Sequence, residues 1–293
     1  MRAQSGLVLA AAVLVSCGHG IPGGHSLPST PSVPGGVPSN EVDPNTCGNY
    51  AASDAGAKFK VFLQAVKDLD AATIEAAKVI KTSCVSMGNE LSMSADDLGG
   101  DDTGAICNKV FDTYKANLKV SIKAKAKLKI SYTPAKCTAA ASASASASAG
   151  CSGSASAGSG GGGAEGQCAA GAAVNASLHV DCTPASFSVG VDAKMIVDKT
   201  KFEATVKAIQ DGLPKLLDVG ARTQGIKDAA DAVVQAGKDL AAMGPKFAQS
   251  FPDQGVCIAA QVTASAKAST RIQANVSVSV SVSASASATA GGS

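Results

Sequence analysis

The sequence predicts an α+β fold: an N-terminal helical hairpin, a long antiparallel β-sheet or ribbon of small residues, and a C-terminal helical pair, all stapled by disulfides. Three observations carry that prediction. Apolar residues recur every three to five positions over Phe59–Ile80 and Phe202–Leu240, the spacing of a helix face. They recur at every second position over Val120–Tyr132 and again over Val262–Ala288, the spacing of a strand. Nine cysteines stand in a chain with no Trp, seven Phe and three Tyr. Alanine supplies much of the 45% apolar content. It removes only roughly a third as much area from water as leucine does, so covalent staples are the expected compensation.

In chain order, residues 1–16 place Arg2 ahead of the nine-residue apolar run Leu7–Val15. That run is far short of the ~20 residues that span a bilayer, and it reads as a cleaved secretory leader. Leu14-Val15-Ser16-Cys17 resembles the lipobox of bacterial lipoproteins, in which aliphatic and small residues precede a cysteine that accepts diacylglycerol. The resemblance implies cleavage before Cys17 and a lipid anchor on it. Gly18, where an aspartate favours inner-membrane retention, implies the outer membrane, on its periplasmic or surface face. Residues 17–46 carry six prolines and six glycines with almost no large apolar side chain, and are expected to form a disordered tether. His19 and His25 fall in it as spacer residues.

Residues 47–137 form the first folded unit. A helix is expected from Ser53 to about Leu91, with Phe59, Phe62, Leu63, Val66, Leu69, Ile74, Ala77 and Ile80 on its apolar face, Ser53 or Asp54 as cap, and Gly88 weakening its end. A second helix starts at Asp101–Thr103 and runs through Ile106, Val110, Phe111, Tyr114 and Leu118, closing an antiparallel hairpin. Val120, Ile122, Ala124, Ala126, Leu128, Ile130 and Tyr132 then alternate with serines and lysines, predicting a strand that Pro134 ends.

Residues 138–171 are low in complexity: Ala141–Ala149 alternates Ala with Ser, compatible with a silk-like strand or a linker, and Ser159–Gly163 is nearly all glycine. Within 172–293, Val174, Ala176, Leu178 and Val180, then Phe187, Val189 and Val191, predict a hairpin turning near Thr183-Pro184. Lys199–Met243 returns to helical spacing, with a break or kink expected at Pro214 and an end at Gly244-Pro245 and Pro252. Val262–Ala288 is the longest alternation. It is expected to join the Lys-rich strand and the Val174 hairpin in one sheet, bending or beginning as helix near Ile258.

Setting Cys17 aside for lipidation leaves an even number of cysteines, as an exported, disulfide-bonded protein requires. Many connectivities are open to eight cysteines. The element order suggests Cys47–Cys137 around the first unit, Cys84–Cys107 across the helix–helix loop, Cys151–Cys168 closing the glycine-rich segment, and Cys182–Cys257 around the last helices. Zinc is disfavoured, since no CxxC occurs and no histidine is spaced around a cysteine pair.

No phosphate-binding loop, nucleophile elbow or metalloprotease motif is present, so no catalytic residue, cofactor or metal is implied and an enzyme is not expected. His179, outside the tether, is expected on a strand surface. Asp96, Asp97, Asp101 and Asp102 flank Gly99-Gly100. They have neither the spacing nor the terminal glutamate of a calcium loop and read as helix-capping residues. Lys119, Lys123, Lys125, Lys127 and Lys129 form an expected basic face that protects a strand edge or meets anionic headgroups or acidic polysaccharide. A net charge of +2 does not suggest a nucleic-acid partner, and none is expected.

Cys47 with the helix to Cys84, Ile106-Cys107-Asn108, Pro134-Ala135-Lys136-Cys137, Cys182-Thr183-Pro184, Leu213–Leu217, Gly255–Ala260 and Val276–Ala290 together resemble a group of uncharacterised exported proteins typical of myxobacteria. Members of that group combine a secretion leader, helical ends, a central Cys/Gly/Ser repeat region and a V-S-V-S-A-S-A-S tail. The resemblance implies export and architecture and no activity. The expected function is a non-enzymatic envelope or cell-surface lipoprotein with a structural or adhesive role. The alternative is a lipoprotein that binds polysaccharide or a small ligand. The expected partners are the membrane, through the anchor, and envelope polysaccharide or further copies of the chain.

Overall fold

A computed structural model describes residues 41–124, 126, 129–139, 170–175, 177–178, 180–183 and 185–291. Residues 1–40 and most of the low-complexity segment lie outside them.

The first helix, α1 (Asp54–Glu90), starts where the sequence places it: Ser53 is the N-cap, its Oγ accepting the Gly56 amide at 3.1 Å. Phe59, Phe62, Leu63, Val66, Leu69, Ile80 and Met87 lie on its buried face, while Ile74 points outward. After the short α2 (Ala95–Leu98) comes α3 (Thr103–Ser121), capped by Asp102, whose Oδ1 accepts the Ala105 amide at 2.9 Å. Cys84–Cys107 bolts α3 to α1, completing the expected hairpin.

Two further helices dominate the rest. Helix α4 (Lys199–Gln249) has 51 residues and α5 (Gly255–Gly291) has 37, the same number as α1. At 1.5 Å per residue these rods are about 75 Å and 55 Å long. One core joins the first half of α1, the second half of α4 and the first half of α5; the other joins the second half of α1, α3, the first half of α4 and the end of α5. α1 and α5 are therefore parallel, with α4 antiparallel to both.

Among the described residues the long sheet is not formed. Its place is taken by a two-stranded antiparallel ribbon of β1 (Lys129–Thr133), β2 (Lys136–Ala139), β3 (Val180–Thr183) and β4 (Ser186–Gly190). β1 pairs with β4 and β2 with β3, in one shared register that Lys129↔Gly190 and Lys136↔Thr183 both obey. The ladder is interrupted at Pro134-Ala135, as expected of a residue without an amide hydrogen. The hairpin expected near Thr183-Pro184 is corrected by this pairing: β3 and β4 pair with earlier strands instead of with each other.

Two causes account for the other corrections, the ambiguity of alternation and the strength of packing. Val262–Ala288 is helix, not strand: every second residue includes every fourth, so an alternating run also satisfies an i, i+4 helical face. Residues 170–175 and 177–178 are likewise helical, with Val174 buried and Leu178 packed on the same core, where a strand was expected. Helix α3 continues through Val120 to Ser121, so the Lys-rich strand shrinks to β1. Neither Pro214 nor Gly244-Pro245 ends α4. Leu213, Leu216 and Leu217 are all buried beside Pro214, and that packing outweighs the missing hydrogen bond.

α5 is held by small-residue packing. Ile258, Gln261, Ala264, Ala268, Ile272, Val276, Ser279, Val282, Ala286 and Thr289 are buried at spacings of three and four. Its buried hydroxyls are satisfied within the helix: Ser265 donates to the Gln261 carbonyl at 2.8 Å, Ser269 to Ser265 at 2.8 Å, and Ser279 to Asn275 at 2.9 Å. The backbones approach closely as a result. A Cβ on Gly220 of α4 would lie 2.8 Å from that of Ser283, and one on Gly212 would strike Met87 of α1. Arg271 of α5 forms a two-point ion pair with the mostly buried Asp70 of α1, its Nε donating to Oδ1 at 3.3 Å.

Candidate functional site

The most elaborated region is the end of the bundle where residues 41–53 reach the helices. Because α1 and α5 are parallel, both begin here, and Cys47, ahead of α1, meets Cys257 in the first turn of α5. This corrects the expected Cys47–Cys137 and Cys182–Cys257 pairs. Cys137 and Cys182 face each other in the β2–β3 register and join there, beside the second core. Cys151 and Cys168, like Cys17, lie outside the described residues.

Residues 41–53 form a strap over the bundle end. Val42, Cys47 and Tyr50 are buried. The Asp43 amide donates to Gln261 Oε1 at 2.9 Å, and the Tyr50 hydroxyl donates to the Pro44 carbonyl at 2.6 Å. Tyr50 also packs edge-on against Phe59 and Phe251, and Phe247 bridges the same two phenylalanines with centroids 5.1 and 5.4 Å away. Burial, reinforced by the Asp43 carboxylate, pushes the Tyr50 phenol up to about 12. Tyr50 is therefore a neutral donor at any ordinary pH.

Beside the strap, the end of α4 and the start of α5 enclose a groove of about 850 Å³, lined chiefly by apolar side chains, among them Phe247, Phe251, Pro252, Val256 and Val262. Val256 is 72% exposed, the largest exposure among the described large apolar residues. A second groove of about 400 Å³ lies midway along the bundle, where Glu75, Lys215, Asp218 and Arg222 line a mixed-charge rim. Asp218 is committed to structure there, accepting the Ala185 amide at 2.8 Å.

The expected basic face is not assembled on one strand. Lys119 lies in the last turn of α3, Lys123 in the following connection and Lys129 at the start of β1, all exposed; Lys125 and Lys127 lie outside the described residues, as does His179. The acidic loop is occupied with helix capping and pairing. Asp102 caps α3, and Asp97 accepts from Ser94 and from Lys109 at 3.2 Å, bonds that hold its carboxyl below the usual range. Among the described residues no group of three His, Cys, Asp or Glu is placed to hold a metal ion, and no helix is long and apolar enough to cross a membrane.

The groove residues were not singled out from sequence. The available signal was Phe247 and Phe251 at i, i+4, followed by Val256, Ala259 and Val262 across Pro252. No protein-family model, characterised protein or solved structure matches the chain.

Proposed function

We propose that this chain is a non-enzymatic lipoprotein of the bacterial envelope, anchored at the outer membrane through acylated Cys17, with a structural or adhesive role. In this reading it carries its helical bundle on a tether of residues 17–40, since residues 41–46, expected within the tether, are packed on the bundle instead. The observation that bears most on this reading is the fate of the cysteines. Six of the nine pair as three disulfides; Cys151 and Cys168 lie outside the described residues and in this reading bond to each other, which leaves Cys17, directly behind Leu14-Val15-Ser16. Disulfides belong to exported proteins, and a lone cysteine behind such a run belongs to a lipid anchor. The resemblance to exported myxobacterial proteins fits the same reading. A bundle of long helices with small-residue contacts suits a spacer or adhesive rod better than a reaction vessel.

The test is intact mass spectrometry of membrane-extracted protein, with and without reduction. A chain beginning at Cys17, with acyl mass on that residue and eight cysteines released by reductant, is the expected result. A water-soluble chain with an unmodified Cys17 would sink the proposal.

A second reading, binding of a small ligand, is favoured by the mixed-charge groove of Glu75, Lys215 and Arg222 rather than by the dispersed lysines. It predicts that Lys215→Gln with Arg222→Gln abolishes capture of an acidic saccharide; undiminished capture rules the groove out.

A further inference from the structure

The sequence of α5 after Arg271 satisfies two backbone conformations. From Val276 to Ala288, Val or Ala holds every even position and Ser every odd one, with no charge and no proline. As a helix the segment turns Val276, Ser279, Val282 and Ala286 inward and leaves Ser277, Val280, Ser281 and Ala284 exposed. As a strand it would place its valines and alanines on one face and its serines on the other. Valine ranks among the better strand formers, and valine and serine both rank below alanine in a helix. Short segments of high strand propensity, without charge, proline or glycine, are the ones that stack as identical copies.

The fold fastens this segment lightly. The attachments of α5 described above lie at or before Arg271: Cys47–Cys257, Asp43–Gln261 and Arg271–Asp70. No cysteine and no charged residue follow in the helix, so neither a disulfide nor a side-chain ion pair can hold its second half. A hydrogen bond that reaches another helix there, from Ser283 Oγ to the Leu216 carbonyl, is 3.5 Å long, at the outer edge of the useful range. To the two cores the segment gives Val276, Val282 and Ala286, whereas Phe59, Phe62, Phe111, Tyr114 and the buried leucines come from elsewhere. The bundle therefore keeps its large side chains in place when the end of α5 leaves, and such local opening costs less than global unfolding.

We infer that Val276–Ala288 is a convertible segment: a helix in the single molecule, and a strand that stacks on the same segment of further copies when the chain assembles. In the stack, backbone groups pair with the copies above and below, and the valine face closes against a second sheet. The disulfide at Cys257 keeps the start of α5 on its bundle, so each copy enters the assembly with its folded part attached. The partner is a second copy of this chain, and the product is a cross-β fibre decorated with helical bundles. This rests on the structural or adhesive role proposed above, whose material it supplies, and not on the lipid anchor.

The experiment uses the full mature chain with Cys17→Ser, so that no lipid drives association, incubated with agitation. The expected product is a fibre that diffracts at about 4.8 Å along its axis, in which hydrogen exchange protects Val276–Ala288. Ser277→Lys with Ser281→Lys tests the segment itself. Both serines are exposed on the helix and lysine is the better helix former, so the melting temperature of the monomer is expected to hold. In a strand the two lysines share one face and stack on identical lysines of the next copy, so fibre formation is expected to slow at least about tenfold. Val278→Ala with Val280→Ala, which lowers strand propensity without adding charge, is expected to slow it as well. Assembly of the lysine variant at the parent's rate, or fibres protected elsewhere in the chain, would overturn the inference. Association that stays helical, without that diffraction, overturns the conversion and leaves the structural role standing. A chain that stays monomeric overturns the inference, and one that also retains no envelope material removes the adhesive role with it.

Discussion

Helices α1 and α5 are equal in length, parallel and packed against the same partner, yet they are built from different material. α1 buries Phe59, Phe62 and Met87 with Leu63, Leu69 and Ile80, and it exposes charged side chains on its far side. α5 buries alanine, serine, valine and isoleucine, and carries no charged residue after Arg271. The first is stabilised mainly by apolar area removed from water. The second has less area to remove and relies on close backbone approach, high alanine propensity and attachments along its first half: the disulfide to Cys47, the Asp43–Gln261 hydrogen bond and the Arg271–Asp70 pair. A helix can thus be made reliable by its own side chains or by what it is fastened to.

The two helices should differ most in how they depend on their disulfides. Cys47–Cys257 closes a sequence separation of 210 residues and Cys84–Cys107 one of 23. Chain entropy assigns about 5 kcal/mol to the first and about 3 kcal/mol to the second. Replacing each pair by alanine and measuring urea unfolding is expected to give that order. An equal or reversed loss would mean that the start of α5 is held by packing, and the contrast with α1 would collapse.

The next effect separates the buried faces. Phe62→Ala on α1 should cost about 3–5 kcal/mol. Ala268→Gly on α5, at a site just as buried, removes one methyl and some helix propensity and should cost about 1 kcal/mol. Thermal unfolding of both variants measures the difference, and comparable losses would show that α5 contributes more by burial than its composition allows.

This contrast also explains what was legible in the sequence. α1 and α3 were readable because large apolar residues mark a helix face by themselves, and Ser53 and Asp102 mark its start. α5 was not, because in Val276–Ala288 small residues occupy every position and alternation is the only visible pattern. The hydroxyls that suggested an exposed strand face are bonded to carbonyls four residues back. The loop between α1 and α3 is short enough for Cys84 and Cys107 to be matched locally. Cys47 with Cys257 depends on α1 and α5 being parallel, which no local spacing records. The groove stayed hidden for the same reason, since its walls are the end of one helix and the start of the next, seen as continuous only when the two are antiparallel.

The strap that joins the starts of α1 and α5 should reveal itself in alkali. Folding raises the Tyr50 phenol from about 10 to about 12, so the folded state holds that proton more tightly. Its contribution is fully present below pH 10 and is lost as pH rises towards 12, amounting to roughly 2–3 kcal/mol. Tyr50→Phe has no such proton to lose. Unfolding free energies of the two proteins are expected to converge across that window, while lysine titration affects both alike. Parallel curves would show that the Tyr50 hydroxyl is not sealed by the strap.

The smallest effect is the most discriminating for α5. Ser279 is 3% exposed, and its hydroxyl is spent on the Asn275 carbonyl of its own helix. That bond competes with the backbone ladder rather than linking two elements, so Ser279→Ala removes donor and desolvated oxygen together and leaves a carbonyl already bonded within the helix. Alanine is also the better helix former by a few tenths of a kcal/mol. The substitution should leave stability within about 0.5 kcal/mol of the parent, or raise it slightly. Had the alternation specified a strand, a buried serine would have bonded across to a neighbouring chain segment, and its loss would cost more than about 1 kcal/mol. A near-zero value from urea unfolding is therefore the signature of a helix whose polar residues are internally satisfied, and a large one would mean that α5 is held by hydroxyls shared with its neighbours.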